Sequence, residues 1–228
     1  MNQIAIVLAG GLGTRLRSVI SDTPKCMAPI HNKPFLFHQL KYLSSQKIKT
    51  VILSIGYLGE QIQNYFGDNF FDMQIKYNIE KEALGTGGAI LSTIQTHQID
   101  SPFFFLNGDT YFPVDLTKLS LSLDNKTDVV IATKFMDPAD RYGLIYSENS
   151  IVKKFEEKKP QSNGPINGGT GFMKPTSLTQ FKWPGKFSLE SDFFQSKLTQ
   201  LTIQAIEFSD PFIDIGIPED YRRAAEII

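Results

Sequence analysis

Short apolar runs alternate with helix-patterned segments along the first half of the chain. Three segments carry apolar residues near the helical period, at 34–46, 58–66 and 87–97. Around them, runs rich in β-branched and aromatic residues predict strands at 4–9, 50–55, 73–78, 103–108 and 128–133. This alternation is typical of βαβ units, so it predicts an α/β fold around a mainly parallel central sheet. The apolar character of residues 103–106 is typical of a central strand covered on both faces.

The pattern changes after residue 137. A helix capped by Ser188 and a terminal helix starting at Pro218, a favourable first-turn residue, are predicted there. The polar segment 158–165 is interpreted as a surface loop, and α/β domains often reach 228 residues, so we expect one domain over 1–228. The remaining strands are predicted as a pair within 142–157, joined by a polar turn at 148–150, and at 166–173 and 201–208.

Charge and composition exclude several classes of protein. The chain has 23 basic and 24 acidic residues, so no basic excess indicates a nucleic-acid partner, and any anion site must be built locally. No apolar stretch reaches transmembrane length, and the N-terminus lacks the pattern of a signal peptide. The single cysteine, Cys26, excludes an internal disulfide and is typical of a reducing compartment. We therefore expect a cytoplasmic protein without membrane or nucleic-acid partners.

A glycine-rich loop, LAGGLGTRLRS at 8–18, follows the first predicted strand. It is not a dinucleotide fingerprint, because Leu16 stands where the third glycine belongs, and the Walker A pattern is absent. Two interpretations stay open at this point. Backbone N–H groups could hold the phosphates of a nucleoside triphosphate beside Arg15, or the loop could be a tight turn with solvated arginines. Lys25, in TPKCMAPI, adds a second cation to the same connection and favours a phosphate site.

These segments resemble the signature of the sugar-1-phosphate nucleotidyltransferases, L-A-G-G-x-G-T-R-L followed by P-K-P-M. Five later segments follow in family order, so the similarity runs from residue 4 to about 221: EKEALGTGGAI, FFLNGDT, FEEKKP, INGG and FIDIGIPEDY. The resemblance implies a single Rossmann-like domain with a mixed, mainly parallel sheet. It also implies the reaction of a nucleoside triphosphate with a sugar 1-phosphate to give a nucleotide-sugar and pyrophosphate. The C-terminal β-helix of some relatives is not expected here.

Two aspartates are candidate metal ligands. Asp109 follows a predicted central strand, at the sheet edge where open α/β folds bind ligands, although it could also be a simple turn residue. Asp214 lies between Ile213 and Ile215, where burying a carboxylate is costly unless it is paired or bound to metal. The resemblance implies that Asp109 and Asp214 bind Mg²⁺, which takes a few carboxylates together with phosphate oxygens and water.

The resemblance also assigns cations and sugar contacts. Both substrates are polyanions, so charge neutralisation and in-line positioning are the main requirements of catalysis. Lys25 and Arg15 would act with Asp109 in catalysis, Lys25 by steadying the reacting α-phosphate. Lys158 would hold the sugar phosphate, although an extra Lys159 leaves open which of the two points inward. The sugar itself would contact Glu157, Asn167 and the backbone at Gly143 and Gly168.

The nucleotide would lie along the glycine-rich loop and near the segment that starts at Glu80. Guanine offers neighbouring N–H donors at N1 and N2, which suit the carboxylate of Glu80. Thr86 is also expected to cap the following helix. The resemblance assigns the nucleotide to Leu8, Ala9, Gly10, Gly11, Gly13, Thr14, Glu80, Gly85, Thr86 and Gly108.

Among the relatives, the motifs most resemble D-glycero-α-D-manno-heptose 1-phosphate guanylyltransferases, which implies GTP, a heptose 1-phosphate and Mg²⁺. Mannose 1-phosphate guanylyltransferase and N-acetylmuramate or glucose 1-phosphate nucleotidyltransferases are the nearest alternatives. Two interpretations from other classes of protein also stay open. One is a glycosyltransferase, although the D-x-D motif usual in that class is broken here after Asp109. The other is a non-catalytic subunit that binds a nucleotide-sugar. Exposed aromatic residues would suit a homodimer interface.

Overall fold

The computed structural model describes residues 3–11, 13, 16, 20, 22–156, 160 and 162–228. Its strands are β1 (Ile4–Leu8), β2 (Pro29–Ile30), β3 (Lys33–Pro34), β4 (Thr50–Ile55), β5 (Asn69–Phe70), β6 (Met73–Ile79), β7 (Phe103–Asn107), β8 (Thr110–Tyr111), β9 (Val129–Met136), β10 (Leu144–Glu148), β11 (Ile151–Glu156), β12 (Gly164–Met173), β13 (Ile203–Glu207) and β14 (Ile213–Asp214). Its α-helices are α1 (Phe35–Ser45), α2 (Gly59–Phe66), α3 (Gly85–His97), α4 (Leu116–Leu121), α5 (Pro175–Thr179) and α6 (Pro218–Ile227).

Ten of these strands form one mixed sheet in the order β10-β11-β13-β9-β12-β7-β1-β4-β6-β5. Strands β7, β1, β4 and β6 are parallel neighbours, and β13 is parallel to β9. Strand β12 lies antiparallel between β7 and β9, and it also pairs with β10. The predicted α/β fold with a mixed central sheet is confirmed. Its parallel block comes from the first half of the chain, where strands and helices alternate.

Both faces of the central strands are buried, as the apolar run in β7 predicts. Phe104 packs on one face with apolar residues of α1, α2 and α4. Phe103 and Phe105 pack on the other face with residues of α3, α5 and the segment Leu189–Gln195. Neighbouring side chains point to opposite faces of a strand, so one uninterrupted apolar run serves both layers.

The helix predicted after Ser188 forms with more residues per turn than expected. Residues Leu189–Gln195 are π-helical, and the Ser188 hydroxyl accepts hydrogen bonds from the backbone N–H groups of Glu190 and Ser191. The predicted cap is therefore confirmed. Helix α6 begins at Pro218, also as predicted. Within the described part of the chain, no helix is long and apolar enough to cross a membrane.

Candidate active site

The carboxyl ends of the parallel strands bring the predicted nucleotide residues to one edge of the sheet. Strand β1 ends beneath the glycine-rich loop, β7 ends just before Gly108 and Asp109, and Glu80 directly follows β6. Parallel neighbours end at the same edge, and ligands of open α/β sheets bind there. Residues far apart in the chain therefore line one continuous surface.

Strand pairing brings the two candidate metal ligands together. In the small sheet β8–β14, Asp214 pairs with Thr110, and the backbone N–H of Ile215 donates to the carbonyl of Asp109 at 3.0 Å. The ammonium of Lys25 donates to Asp109 Oδ2 at 2.5 Å and lies 3.6 Å from Asp214 Oδ1. One buried cation is thus shared by two partly exposed carboxylates, and this group carries a net negative charge.

The two carboxylates fit a divalent cation. Burial, followed by the negative charge of Asp109, raises the pKa of Asp214, because one ammonium does not fully compensate two neighbouring carboxylates. No cluster of three or more His, Cys, Asp or Glu side chains that could hold a metal occurs in the described residues. A divalent cation at this pair would have further coordination positions for substrate phosphates and water.

The glycine-rich loop connects Glu80 to Lys25. A Cβ atom on Gly10 would lie 2.8 Å from Glu80 Oε1, so glycine lets the loop approach the carboxylate in its observed position. Gly13 has a φ of +56°, and a Cβ there would lie 3.1 Å from the Cβ of Lys25. Among the described residues other than its chain neighbours, none lies within 4 Å of a Cβ built on Gly11. Thr14 and Arg15, which the sequence assigns to this loop, lie outside the described residues.

Three further predicted residues lie directly beneath this loop. Leu8 ends β1, and its carbonyl accepts a hydrogen bond from the backbone N–H of Gly108 at 3.0 Å. A Cβ on Gly108 would lie 2.6 Å from that carbonyl oxygen, so the glycine lets the ends of β7 and β1 meet. Ala9 is buried, and its N–H donates to the carbonyl of Ser54 at 2.8 Å.

The carboxylate of Glu80 is held in a defined direction. Its Oε1 accepts from the Ser54 hydroxyl at 3.0 Å, and its Oε2 accepts from the backbone N–H of Leu84 at 3.3 Å. Asn78 in turn donates to the Ser54 hydroxyl at 3.2 Å. The remaining lone pairs of an oriented carboxylate can accept from a base at the Gly10 end of the loop.

The glycines at the start of α3 have a packing role that the sequence did not indicate. A Cβ on Gly85 would lie 2.5 Å from the carbonyl oxygen of Phe187, and one on Gly87 would lie 2.3 Å from its ring. Thr86 does not cap α3 as expected. Its hydroxyl instead accepts from the backbone N–H of Leu189 at 2.8 Å, which ties α3 to the π-helical turn. Nucleotide contacts of Gly85 and Thr86 remain predictions.

A cavity of about 320 Å³ opens beside Asp214. Asn167 and Gly143, two residues assigned to the sugar, line it, whereas the assigned Glu157 and Lys158, and the alternative Lys159, lie outside the described residues. The Asn167 amide donates to Glu190 Oε1 at 2.7 Å, and its oxygen accepts from the N–H of Gly169 at 3.0 Å. The other polar residues in its lining include Asn107, Thr110, Arg141, Glu156, Ser188, Ser191 and Gln195.

Gly168 has a packing role that the sequence did not indicate, while its backbone contact with the sugar stays a prediction. A Cβ there would lie 2.4 Å from the ring of Phe112 and 3.0 Å from the carbonyl of Ala132. The position is buried, so glycine is required by core packing.

The comparisons with known proteins agree with this arrangement. The family model described as "Nucleotidyl transferase" matches residues 4–227. The chain belongs to the nucleotidyl transferase family. Members of this family generally use a divalent metal ion, which agrees with the paired carboxylates.

This nucleotidyl transferase is 47% identical over 95% of its length to the D-glycero-alpha-D-manno-heptose 1-phosphate guanylyltransferase of Campylobacter jejuni, with 96% of that protein covered. It is 44% identical over 96% of its length to the enzyme of the same name from Aneurinibacillus thermoaerophilus, again with 96% covered. The crystal structure of HddC from Yersinia pseudotuberculosis complexed with GMP-PN matches with a TM-score of 0.85, at 38% identity and 98% coverage of both chains. The predicted family and the resemblance to heptose 1-phosphate guanylyltransferases are confirmed.

Sequence reasoning missed three charged residues of the nucleotidyl transferase cavity: Arg141, Glu156 and Glu190. Glu156 forms an ion pair with Lys154 at 2.6 Å. Arg141 forms an ion pair with the buried carboxylate of Asp220, which also pairs with Arg223 at 3.3 Å. Glu190 contacts Asn167 from the π-helical turn. The RYG and PEDY segments that hold Arg141 and Asp220 were visible in the sequence. Only the three-dimensional contact shows that Asp220 fixes a cation at the cavity.

Cys26 is a packed residue, as its surroundings in the sequence suggest. Its side chain is 3% exposed, and burial raises the pKa of its thiol to about 12. The thiol therefore stays protonated at neutral pH and is not a nucleophile.

Proposed function

We propose that this nucleotidyl transferase is a cytoplasmic D-glycero-α-D-manno-heptose 1-phosphate guanylyltransferase. It joins the guanylyl group of GTP to a heptose 1-phosphate and releases pyrophosphate. The observation that carries the proposal is the arrangement along one sheet edge. Glu80 and Gly10 lie at one end of the glycine-rich loop, Gly13 and Lys25 at the other, and the cavity follows beyond Asp214. The two heptose 1-phosphate guanylyltransferases described above support the choice of substrates.

The orientation of GTP follows from the chemistry of the two loop ends. The carboxylate of Glu80 suits the N1 and N2 donors of guanine, while the ammonium of Lys25 suits a phosphate. The α-phosphate would therefore lie near Lys25, and the sugar phosphate would approach it from the cavity beside Asp214. This order places the nucleophile and the phosphorus atom next to each other.

The bond changes need no protein base. A phosphate oxygen of the sugar 1-phosphate is already ionised near neutral pH, and it forms a bond to the α-phosphorus of GTP as the bond to the β-phosphate oxygen breaks. The electron pair of that bond leaves with pyrophosphate. Lys25 would neutralise charge on the α-phosphate, and Arg15 would do so on the outer phosphates.

Asp109 and Asp214 would hold Mg²⁺, which when bound supplies positive charge to the phosphates that react. The two carboxylates are well suited to this role because both already lie close to one cation, the ammonium of Lys25. The polar lining of the cavity would bind the sugar. Its volume of about 320 Å³ suits one small polar ligand. Arg141 would add a fixed cation, and Asn167 and Glu190 would contact hydroxyl groups together with Glu157. Lys158 would hold the sugar phosphate.

The test is pyrophosphate release with Mg²⁺ from four nucleoside triphosphates, each combined with heptose, mannose, glucose or N-acetylmuramate 1-phosphate. Release from GTP and heptose 1-phosphate with the highest kcat/KM is expected. A higher kcat/KM with GTP and mannose 1-phosphate than with GTP and heptose 1-phosphate would show that mannose 1-phosphate is the preferred sugar substrate. Absence of release from every pair would contradict an enzymatic role with these substrates.

The Glu80→Gln variant is expected to lower the preference for GTP over ATP by about tenfold or more, because a charged acceptor contributes more to a hydrogen bond than a neutral one. The measurement is the ratio of kcat/KM for the two nucleotides. Glu82→Gln is the matched control, since Glu82 is exposed and lies two residues away. An unchanged ratio in Glu80→Gln would show that the base is recognised elsewhere.

The Gly11→Ala variant is expected to raise the KM for GTP about tenfold without changing Tm. Apart from its chain neighbours, no described residue lies within 4 Å of a methyl group at Gly11, so this group would project into space where we expect a ligand. The control is Gly185→Ala, because a Cβ at Gly185 also has nothing within 4 Å. Equal KM values for the two variants and the wild type would contradict a close approach of GTP to this loop.

A further inference from the structure

Helix α1 presents three polar side chains to the irregular segment that follows β7. They lie at positions 39, 42 and 46, which share one face of a helix. The Tyr42 hydroxyl donates to the carbonyl of Val114 at 2.6 Å, and Gln46 Oε1 accepts from the backbone N–H of Leu116 at 3.1 Å. Gln39 contacts the part of the segment that carries Asp109. Helix α1 thus supplies hydrogen-bond partners to backbone groups of the segment 107–116.

Gln39 bridges the two ends of the Asp109 turn. Its Nε2 donates to the carbonyl of Asn107 at 2.7 Å and to the carbonyl of Thr110 at 2.5 Å. The side chain is almost completely buried, at 1% exposure. Gly108 and Asp109 are the two residues between the bridged carbonyls, so the backbone is held on both sides of the candidate metal ligand.

The orientation of the Gln39 amide indicates that its two hydrogen bonds to the turn have a role beyond packing. With both N–H groups directed at the turn, Oε1 is buried without a hydrogen-bond partner among the described residues. An unsatisfied buried acceptor costs about 1–3 kcal/mol, so a glutamine is a poor choice for packing alone. An apolar side chain of similar length would avoid that cost but would leave the two carbonyls without this donor.

The bridge also reaches the second carboxylate. Thr110, whose carbonyl Gln39 binds, pairs with Asp214 in the sheet β8–β14. Fixing the backbone at Thr110 therefore fixes the strand against which Asp214 is aligned. We propose that Gln39 is a positioning residue for the divalent-metal site, which sets the directions of the Asp109 and Asp214 carboxylates without touching the metal. This inference rests on the proposed metal-binding role of Asp109.

The test measures Mn²⁺ binding to the enzyme–GTP complex by EPR, without sugar phosphate, so that no turnover occurs. Gln39→Met is expected to raise the Kd for Mn²⁺ about 10- to 100-fold, the usual effect of losing a residue that orients metal ligands. Its affinity for GTP without metal, measured by calorimetry, should stay within about twofold of the wild type, because general damage to the fold would reduce both affinities. Wild-type Mn²⁺ affinity in Gln39→Met would overturn the inference.

Tyr42→Phe is the matched control. It removes a buried hydrogen bond from the same helix to the same segment, at Val114 instead of the Asp109 turn. We expect its Mn²⁺ affinity to stay within about twofold of the wild type. An equal loss of Mn²⁺ affinity in Tyr42→Phe and Gln39→Met would overturn a specific role for Gln39.

Two further variants keep the inference testable. If Gln39→Met does not fold, Gln39→Asn takes its place, because its amide is one methylene shorter and does not span both carbonyls. A wild-type Kd for Mn²⁺ in Gln39→Asn would then overturn the inference. Asp109→Asn separates the inference from the proposed function. Unchanged Mn²⁺ binding in Asp109→Asn would overturn the metal assignment, whereas weakened binding there with normal binding in Gln39→Met would overturn only the positioning role.

Discussion

Replacing Asp109 by asparagine is expected to lower kcat about 1,000-fold or more at saturating GTP and Mg²⁺. The amide fills nearly the same space, but it lacks the negative charge that pairs with Lys25 and would bind the metal. The main requirement of this site is to stabilise charge on the reacting phosphates, so we expect the substitution to slow the chemical step. The measurement is pyrophosphate release together with the Tm. The Tm should change by less than about 4 °C, which is roughly 1 kcal/mol for a chain of this size.

The control for this variant is Asp72→Asn. Asp72 is exposed in the turn between β5 and β6, away from the metal candidates. It undergoes the same chemical change, and we expect wild-type turnover. Near-normal kcat in Asp109→Asn would contradict the metal assignment. A large fall in Tm would show that Asp109 acts mainly in folding.

Replacing Lys25 by methionine is expected to lower kcat about 100-fold, which is typical of losing one fixed electrostatic contact to a developing charge. Methionine retains much of the length and the apolar stem, but it leaves Asp109 and Asp214 without the ammonium between them. The free enzyme should therefore lose stability as well, since two neighbouring carboxylates repel each other when no cation lies between them. The measurements are kcat for pyrophosphate release and the Tm without metal.

Lys25→Arg and Lys33→Met complete this experiment. Arginine should not restore activity, because the Lys25 side chain is only 10% exposed and its Nζ already lies 2.5 Å from Asp109 Oδ2. The surroundings therefore have little room for a guanidinium. Lys33 is an exposed lysine nearby in the chain, and its replacement should leave kcat unchanged. Wild-type kcat in Lys25→Met would contradict the catalytic assignment.

Much of the architecture could be predicted because local pattern determines local structure. The uninterrupted apolar run of β7 predicted burial on both faces, and Phe104 and Phe105 indeed pack on opposite sides of the sheet. The π-helical form of Leu189–Gln195 was not predicted, because apolar spacing in so short a segment does not distinguish π-helical from α-helical turns.

The glycines show what sequence reasoning leaves undecided about a close approach. A glycine indicates that something comes close, but not what comes close. At Gly10 the neighbour is Glu80, within the candidate nucleotide site. At Gly87 and Gly168 the neighbours are the rings of Phe187 and Phe112, so these positions serve packing.

The sequence by itself determined the fold class, the family and the residue types of the site, including Lys25, Asp109 and Asp214. Periodicity and short motifs are local properties, and they can be read along the chain. Tertiary structure alone decided that β14 aligns against β8 and that one ammonium serves both aspartates. It also decided that Gln39 bridges the Asp109 turn. Such contacts join residues about 70 to 190 positions apart, so no local pattern encodes them, and they form only when the sheet is assembled.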